Sequence, residues 1–158
     1  MNHNPTTELL AALTAEHLAL QDFIILLERE QGLLVENNAD QLLELAEQKS
    51  ACAINLNELA ESRRSLLRKN IPVLSVEAIP AWLKTHSTEG LAIWKKIRTL
   101  AEHAQQINHT NGELIQMKIR HNQQSLTVLS NAVNKANLYG PDGQTSFSPG
   151  SGRSLGSG

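Results

Sequence analysis

The chain has 158 residues, enough for one domain with its own core, and its formal net charge is −2. That charge gives no reason to expect nucleic acid or an anionic membrane as the main partner. Hydrophobic residues make up 41% of the chain but aromatic residues only 3%, and the prevalence of leucine, alanine, glutamate and glutamine is typical of helical proteins.

The first residues lack a basic region followed by an apolar run, so no secretory signal is predicted. No apolar run approaches the ~20 residues that a membrane span needs, and we expect a cytoplasmic protein without membrane insertion. Cys52 is the only cysteine, which excludes an internal disulfide. Inside a helical pattern, we interpret it as a small buried apolar group rather than a nucleophile.

A first helix is predicted over residues 6–36, capped by Thr6 or Thr7. Leucines recur every seven residues, which is the spacing of a helix-packing seam. The seam comprises Leu10, Leu13, Leu20, Ile24, Leu27 and Leu34, with His17 and Gln31 as its polar members. We interpret His17 as a partly buried, hydrogen-bonded side chain rather than a ligand or phosphoacceptor.

Asn37, Asn38 and Asp40 predict a turn and a helix cap, followed by a second helix over residues 39–69. Its apolar seam is interrupted by Lys49 and Arg63, whose side chains we expect to reach past the seam to water. The seam residues are Leu42, Leu45, Cys52, Leu56, Leu59 and Leu66.

The second helix has a basic end, formed by Arg63, Arg64, Arg68 and Lys69. Cations are favoured at helix C-termini, which explains this end without a partner, and a binding patch is the alternative. Pro72 then stops the helix. In the connection over residues 71–87, Ser75 can cap a short helix at about 75–84 that covers one end of the bundle.

A long helix is predicted from about residue 88 to 137, capped by Ser87 or Thr88 and roughly 70 Å long. Its second half has an apolar stripe but is otherwise rich in asparagine, glutamine, serine and threonine, which are mediocre helix formers. We therefore predict a surface that awaits a partner. The stripe comprises Ile115, Ile119, Leu126, Leu129 and Val133, with Asn108, Asn111 and Asn122 on the same track. The three asparagines either fix the register of a partner or are ordinary amides of the bundle.

The predicted fold is therefore all-α, an antiparallel, coiled-coil-like bundle of three long helices with a short connecting helix, over residues 1–139. Residues 140–158 are rich in glycine, serine and proline and are predicted to form a flexible tail. The sequence lacks the Glu-x-x-His pairs of di-metal bundles, the His-Glu-x-x-His motif and the phosphate-binding glycine loop. We expect no enzymatic activity, no metal and no cofactor.

Three stretches resemble the FlgN-type flagellar export chaperones, and the resemblance extends over essentially the whole chain. The first is Glu47-Gln-Lys49 with Leu56, Leu59 and the Arg63-Arg64 end. The second is Asn108-His-Thr-Asn111-Gly112-Glu-Leu-Ile115, continued by Arg120-His-Asn-Gln-Gln-Ser-Leu126. The third is Leu138-Tyr-Gly-Pro-Asp-Gly-Gln-Thr-Ser146. The second and third are specific in order and spacing.

The resemblance implies a cytoplasmic chaperone without enzymatic activity or a nucleotide requirement. It would bind the C-terminal segments of the first and third hook-associated proteins, prevent their premature assembly, and deliver them to the flagellar type III export gate. The family captures clients through its C-terminal region, so the stripe and its asparagines become the predicted client site. The tyrosine of the third stretch, Tyr139, is implicated in docking to the export machinery. The alternative is a structural adaptor that forms a homodimer through the same stripe.

Overall fold

The computed structural model describes residues 5–137, apart from the side chains of Pro5 and of residues 125, 129, 130 and 132–137. The helices, in chain order, are α1 (Pro5–Glu36), α2 (Ala39–Arg68), α3 (Ala78–His86) and α4 (Thr88–Asn137). Every regular element in this described part is helical, so the predicted all-α fold is confirmed. The predicted tail at 140–158 and Tyr139 lie outside the described residues.

The chain divides into two compact units, residues 1–111 and residues 112–158, whereas the sequence predicted one helical domain as far as residue 139. The first unit contains α1, α2, α3 and the first part of α4. The second unit contains the rest of α4. We describe each unit separately.

The core of the first unit takes residues from all four helices and from the segment before α3. The heptad leucines of α1 are buried as predicted: Leu13, Leu20, Leu27 and Leu34 are at most 7% exposed. Leu13, Leu20 and Leu27 belong to one core cluster, whose other members are Leu9, Ile24, Leu67, Ile71, Ile79, Leu83, Trp94, Ile97, Ala104 and Ile107. Because α3 contributes Ile79 and Leu83, it covers apolar surface of the bundle, as expected.

Side-chain caps mark the ends of the helices. The Oδ1 atom of Asn38 accepts a hydrogen bond from the Gln41 amide at 3.2 Å, and Asn37 has a positive φ of 59°, which asparagine tolerates better than most residues. Ser87 Oγ accepts a hydrogen bond from the Gly90 amide at 2.9 Å, so Ser87 rather than Thr88 caps α4.

The cap of α3 shows why that helix begins later than predicted. Ser75 Oγ accepts a hydrogen bond from the Ala78 amide at 3.0 Å, as a capping serine would, but residues 76–77 form a turn and the helix starts at Ala78.

Among the described residues, α1 is long and apolar enough to cross a membrane by length and composition, although the sequence predicted no membrane span. Residues Thr6–Glu36 form a candidate membrane-spanning helix by length and composition, with a mean hydropathy of 1.5 over their most apolar stretch. This is weak evidence, because the core helix of a water-soluble protein passes the same test. The leucines and isoleucines responsible include the heptad residues that α1 contributes to the core.

Candidate functional site

A buried carboxylate of α1 holds α1, α2 and α4 together near one end of the first unit. Glu16 is 5% exposed, and its Oε1 accepts a hydrogen bond from Arg63 Nε of α2 at 2.7 Å. The Arg63 guanidinium also lies over the ring of Trp94 on α4, with Cζ 4.8 Å from the centroid. A desolvated cation over an indole face is stabilised by the ring quadrupole. We call Glu16, Arg63 and Trp94 the first polar layer.

A second buried carboxylate repeats this arrangement further along α1. Glu30 is 8% exposed, and Lys49 Nζ donates to its Oε1 at 3.1 Å and to Asn108 Oδ1 at 3.1 Å. Asn111 Nδ2 donates to Glu30 Oε1 at 2.8 Å and to the carbonyl oxygen of Leu27 at 2.9 Å. We call Glu30, Lys49, Asn108 and Asn111 the second polar layer.

The expectation that Lys49 and Arg63 reach past the seam to water was therefore wrong. Their side chains are only 25% and 11% exposed, and both cations bind carboxylates of α1. For both cations, pairing with a nearby carboxylate is more favourable than hydration, because Glu16 and Glu30 would otherwise be buried without a counter-charge. Sequence analysis missed both glutamates because they lie beside the leucine seam rather than on it.

A signal for these two glutamates was nevertheless present in the sequence. Glu16 and Glu30 are two heptads apart, and so are Lys49 and Arg63 in the opposite order, which is the order that antiparallel helices need. Trp94 and Asn108 on α4 have the same spacing. Matched spacings of opposite charges on successive amphipathic helices could therefore have predicted both layers.

Asn111 lies inside the bundle rather than on a surface that a client could reach. Its side chain is 1% exposed, and its amide group is committed to Leu27 and Glu30. The Oδ1 atom is buried without a hydrogen-bond partner within the described part of the chain. Of the two interpretations of this residue, the structure supports an amide of the bundle, and we remove Asn111 from the predicted client track. Asn108 is exposed, but its Oδ1 is occupied by Lys49.

The second unit carries the part of the stripe that is exposed. Ile115, Ile119 and Leu126 are 38%, 43% and 64% exposed, and Asn122 is exposed between them. Their spacing along α4 places them on one helix face. Leu129 and Val133 continue that spacing within α4, but their side chains lie outside the described residues. The structure therefore brings Ile115, Ile119, Asn122 and Leu126 together as an open apolar surface, which we call the α4 stripe.

The α4 stripe lies on a cationic stretch of helix. Between residues 114 and 137 the charged residues are Lys118, Arg120 and Lys135, and there is no carboxylate. An open cleft of about 580 Å³ lies beside Arg120, lined by Gln123, Gln124, Thr127 and Val128 as well. Val128 and Met117 are exposed too, at 67% and 57%. The second unit thus offers apolar and amide groups with positive charge, suited to a helical or extended peptide.

In the part of the chain that the structure describes, histidine, cysteine and acidic side chains are the candidate metal ligands, and the thiol of Cys52 has a raised pKa. No cluster of three histidine, cysteine or acidic side chains is close enough to hold a metal ion there. Cys52 is half-buried with its Sγ 3.8 Å from the carbonyl oxygen of Ala19. Burial, and then the negative charge of Asp22, raise the pKa of the Cys52 thiol, which disfavours the nucleophilic thiolate. His17 is half-buried, as the sequence indicated.

Two polar layers tie the helical bundle of the first unit, and the second unit carries an exposed apolar stripe. The sequence profile described as FlgN protein matches residues 1–146, and the chain belongs to the FlgN family. It is 30% identical over 128 residues to the flagella synthesis protein FlgN of Salmonella typhimurium (strain LT2), covering 81% of each chain. The protein of the same name from Salmonella typhi matches equally, with 30% identity and 81% coverage of each chain. No solved structure matches the chain significantly.

Proposed function

We propose that this member of the FlgN family is a cytoplasmic flagellar export chaperone. It binds the C-terminal segments of the first and third hook-associated proteins, keeps them from assembling early and delivers them to the type III export gate. The observation that carries this proposal is the α4 stripe. Exposed apolar side chains on one helix face are typical of a surface that binds another helix, and the chain belongs to a family of flagella synthesis proteins. No enzymatic activity is part of the proposal.

The client site that we propose comprises Ile115, Ile119, Asn122 and Leu126, continued by Leu129 and Val133. A client helix packed on this face would bury leucine and isoleucine side chains that are now exposed. Client and chaperone would lose conformational freedom on binding, which tempers the affinity and keeps release possible. Docking to the export machinery is assigned to Tyr139. We expect Tyr139→Ala to leave client affinity unchanged and to weaken delivery.

Calorimetry with synthetic C-terminal segments of the hook-associated proteins from the same organism tests this proposal, with circular dichroism on the mixture. We expect saturable one-to-one binding with added helicity. Ile119→Asp should lower the affinity at least ~10-fold, because a carboxylate would be desolvated in the interface. Ile25→Asp is the matched control, since Ile25 is 60% exposed on α1 in the first unit. Equal losses in both variants would argue against a site on α4.

The alternative is a structural adaptor that forms a homodimer through the α4 stripe. The same exposed isoleucines and leucine favour it, since an apolar face can pair with a second copy. Sedimentation of the isolated chain separates the two functions. A tight dimer that ignores the hook-associated segments, and that Ile119→Asp converts to a monomer, would replace the chaperone proposal by the adaptor.

A further inference from the structure

The segment between α2 and α3 exposes apolar side chains that the core does not need. Ile71 is 6% exposed and Leu74 packs against the core cluster, so these two residues anchor the segment. Val73 and Val76 alternate with them and are 74% and 71% exposed. The segment is therefore attached to the core by Ile71 and Leu74, and the side chains of its two valines point into solvent.

The end of α2 that precedes this segment is cationic, whereas the segment itself ends at the exposed carboxylate of Glu77. From residue 62 to residue 76 the charged residues are Arg63, Arg64, Arg68 and Lys69, and no carboxylate occurs. Arg63 binds Glu16, and Arg64 binds Glu61 at 2.6 Å. Arg68 and Lys69, at the exposed end of α2, adjoin the valine segment directly. A helix C-terminus explains two cations there, but it does not explain the exposed valines that follow them.

The first unit is electrostatically asymmetric along its length. The half with the second polar layer carries two cations, Arg29 and Lys49, against the carboxylates Glu28, Glu30, Glu36, Asp40, Glu44, Glu47 and Glu102. In the other half, Trp94 of α4 lies at the level of Arg63. The exposed Lys95, Lys96 and Arg98 therefore accompany Arg68 and Lys69 in this half, and the cations there slightly outnumber the carboxylates. An anionic surface would attract this half and repel the other.

We propose that the segment around Val73 and Val76 is a peripheral docking site for an anionic lipid bilayer. The valines would enter the interfacial region of the membrane while Arg68 and Lys69 bind lipid phosphates. Exposed valines preceded by two cations fit a bilayer, which presents phosphates above a fluid apolar layer, although Glu77 after Val76 opposes part of this attraction. The net charge of −2 does not oppose this, because attraction acts within about a Debye length of the surface and depends on local charge.

Vesicle flotation of the full chain tests this site. The probes are vesicles of phosphatidylglycerol and phosphatidylethanolamine in equal parts, and vesicles of phosphatidylcholine alone. We expect salt-sensitive binding to the anionic vesicles only. Arg68→Gln with Lys69→Gln should lower partitioning roughly 25-fold, at about five-fold for each cation. Val73→Ser with Val76→Ser should lower it about ten-fold, since two buried valines lose most of their apolar transfer.

Two matched controls make the result specific. Lys118→Gln with Arg120→Gln removes two cations from the cationic stretch of α4, and Leu43→Ser removes a 72% exposed leucine from α2. Both should bind anionic vesicles as the unaltered chain does. Equal binding to phosphatidylcholine, no binding, or loss of binding in the control variants alone would overturn the proposal. Binding to polyglutamate but not to vesicles would do so as well, and would assign the segment to an acidic protein.

Discussion

Lys49 Nζ lies 3.1 Å from Glu30 Oε1, and this pair joins α1 to α2 inside the second polar layer. The carboxylate is mostly buried, with 10% of its side chain exposed, whereas the lysine side chain is 25% exposed. The pair therefore stands between an exposed ion pair, worth at most about 1 kcal/mol, and a fully buried one. Its value depends mainly on what happens to Glu30 when the lysine is absent.

Lys49→Met should lower the free energy of unfolding by about 2 kcal/mol, because Glu30 would keep only the Asn111 amide as a partner. Urea unfolding followed by circular dichroism measures this. Adding Glu30→Met to Lys49→Met should recover part of the loss, since the unpaired carboxylate is then gone. Arg64→Gln is the exposed control, and we expect less than about 0.5 kcal/mol. Equal losses for Lys49→Met and Arg64→Gln would contradict the buried role of the second layer.

Asn111→Asp should destabilise the protein by about 3 kcal/mol at neutral pH. The change removes the donor to Leu27 and Glu30 and places a second carboxylate next to Glu30. Like charge and burial would raise the native pKa of the new carboxyl above its unfolded value. The penalty is therefore present above that native pKa and relieved as the pH falls through it. Thermal unfolding across this pH range is the measurement.

Asn108→Asp provides the control for this charge change. Asn108 is exposed and its Oδ1 accepts from Lys49, so a carboxylate there gains a cation instead of meeting a buried anion. We expect a change within about 0.5 kcal/mol. A large loss at residue 108 and none at residue 111 would reverse the placement of the two asparagines.

Much of the fold could be predicted from the sequence, because heptad leucines and capping residues act locally. The spacing of Leu13, Leu20 and Leu27 identifies the buried face of α1, and the asparagine cap at the start of α2 follows from composition alone. The polar layers could not be predicted in the same way. The side chain of a lysine on a seam can either extend into water or bind an acidic side chain. Which of the two occurs depends on whether a glutamate of another helix lies within reach.

The exposure of the side chains shows which residues of the predicted client track lie on the surface. Ile119 and Asn111 have the spacing of one track, but Ile119 is 43% exposed and Asn111 is 1% exposed. Periodicity identifies a face of a helix without showing where that face stops being covered. Exposure changes between Ile107, which is 8% exposed, and Ile115, which is 38% exposed. Nothing in the spacing marks that change.

Gly112→Ala should stabilise the helix by up to about 1 kcal/mol, because glycine is a poor residue in a helix interior. A Cβ at Gly112 would meet nothing within 4 Å. Hydrogen exchange of residues 112–128 should slow, and client release should slow if binding orders this helix. Gly90→Ala is the opposite case, since its Cβ would lie 3.0 Å from Ser87 Oγ and 3.2 Å from Leu83 Cδ2. Faster exchange in Gly112→Ala would contradict this account of Gly112.

Alkylation of Cys52 by iodoacetamide should be slower at mildly alkaline pH than that of a cysteine in a short peptide. Burial and Asp22 raise the pKa of its thiol, so less thiolate is present. Asp22→Asn should lower that pKa and accelerate the reaction, whereas Glu36→Gln should not. The free energy of unfolding also depends on this thiol, because a raised native pKa means that the folded protein favours the protonated form. Its contribution is present below the unfolded pKa of about 9.0 and lost as the pH rises through the native value.

The two heptads between the polar layers have a consequence for how the chain finds its native pairing during folding. Leucine seams alone tolerate slippage, because a shift by one heptad again sets leucine against leucine. With α1 and α2 shifted by one heptad, Glu16 would face Leu56 and Glu30 would face Leu42, and both carboxylates would be buried without a cation. The layers therefore act against misaligned hairpins, so that a leucine-rich chain reaches a single alignment before the α4 stripe is presented to any partner.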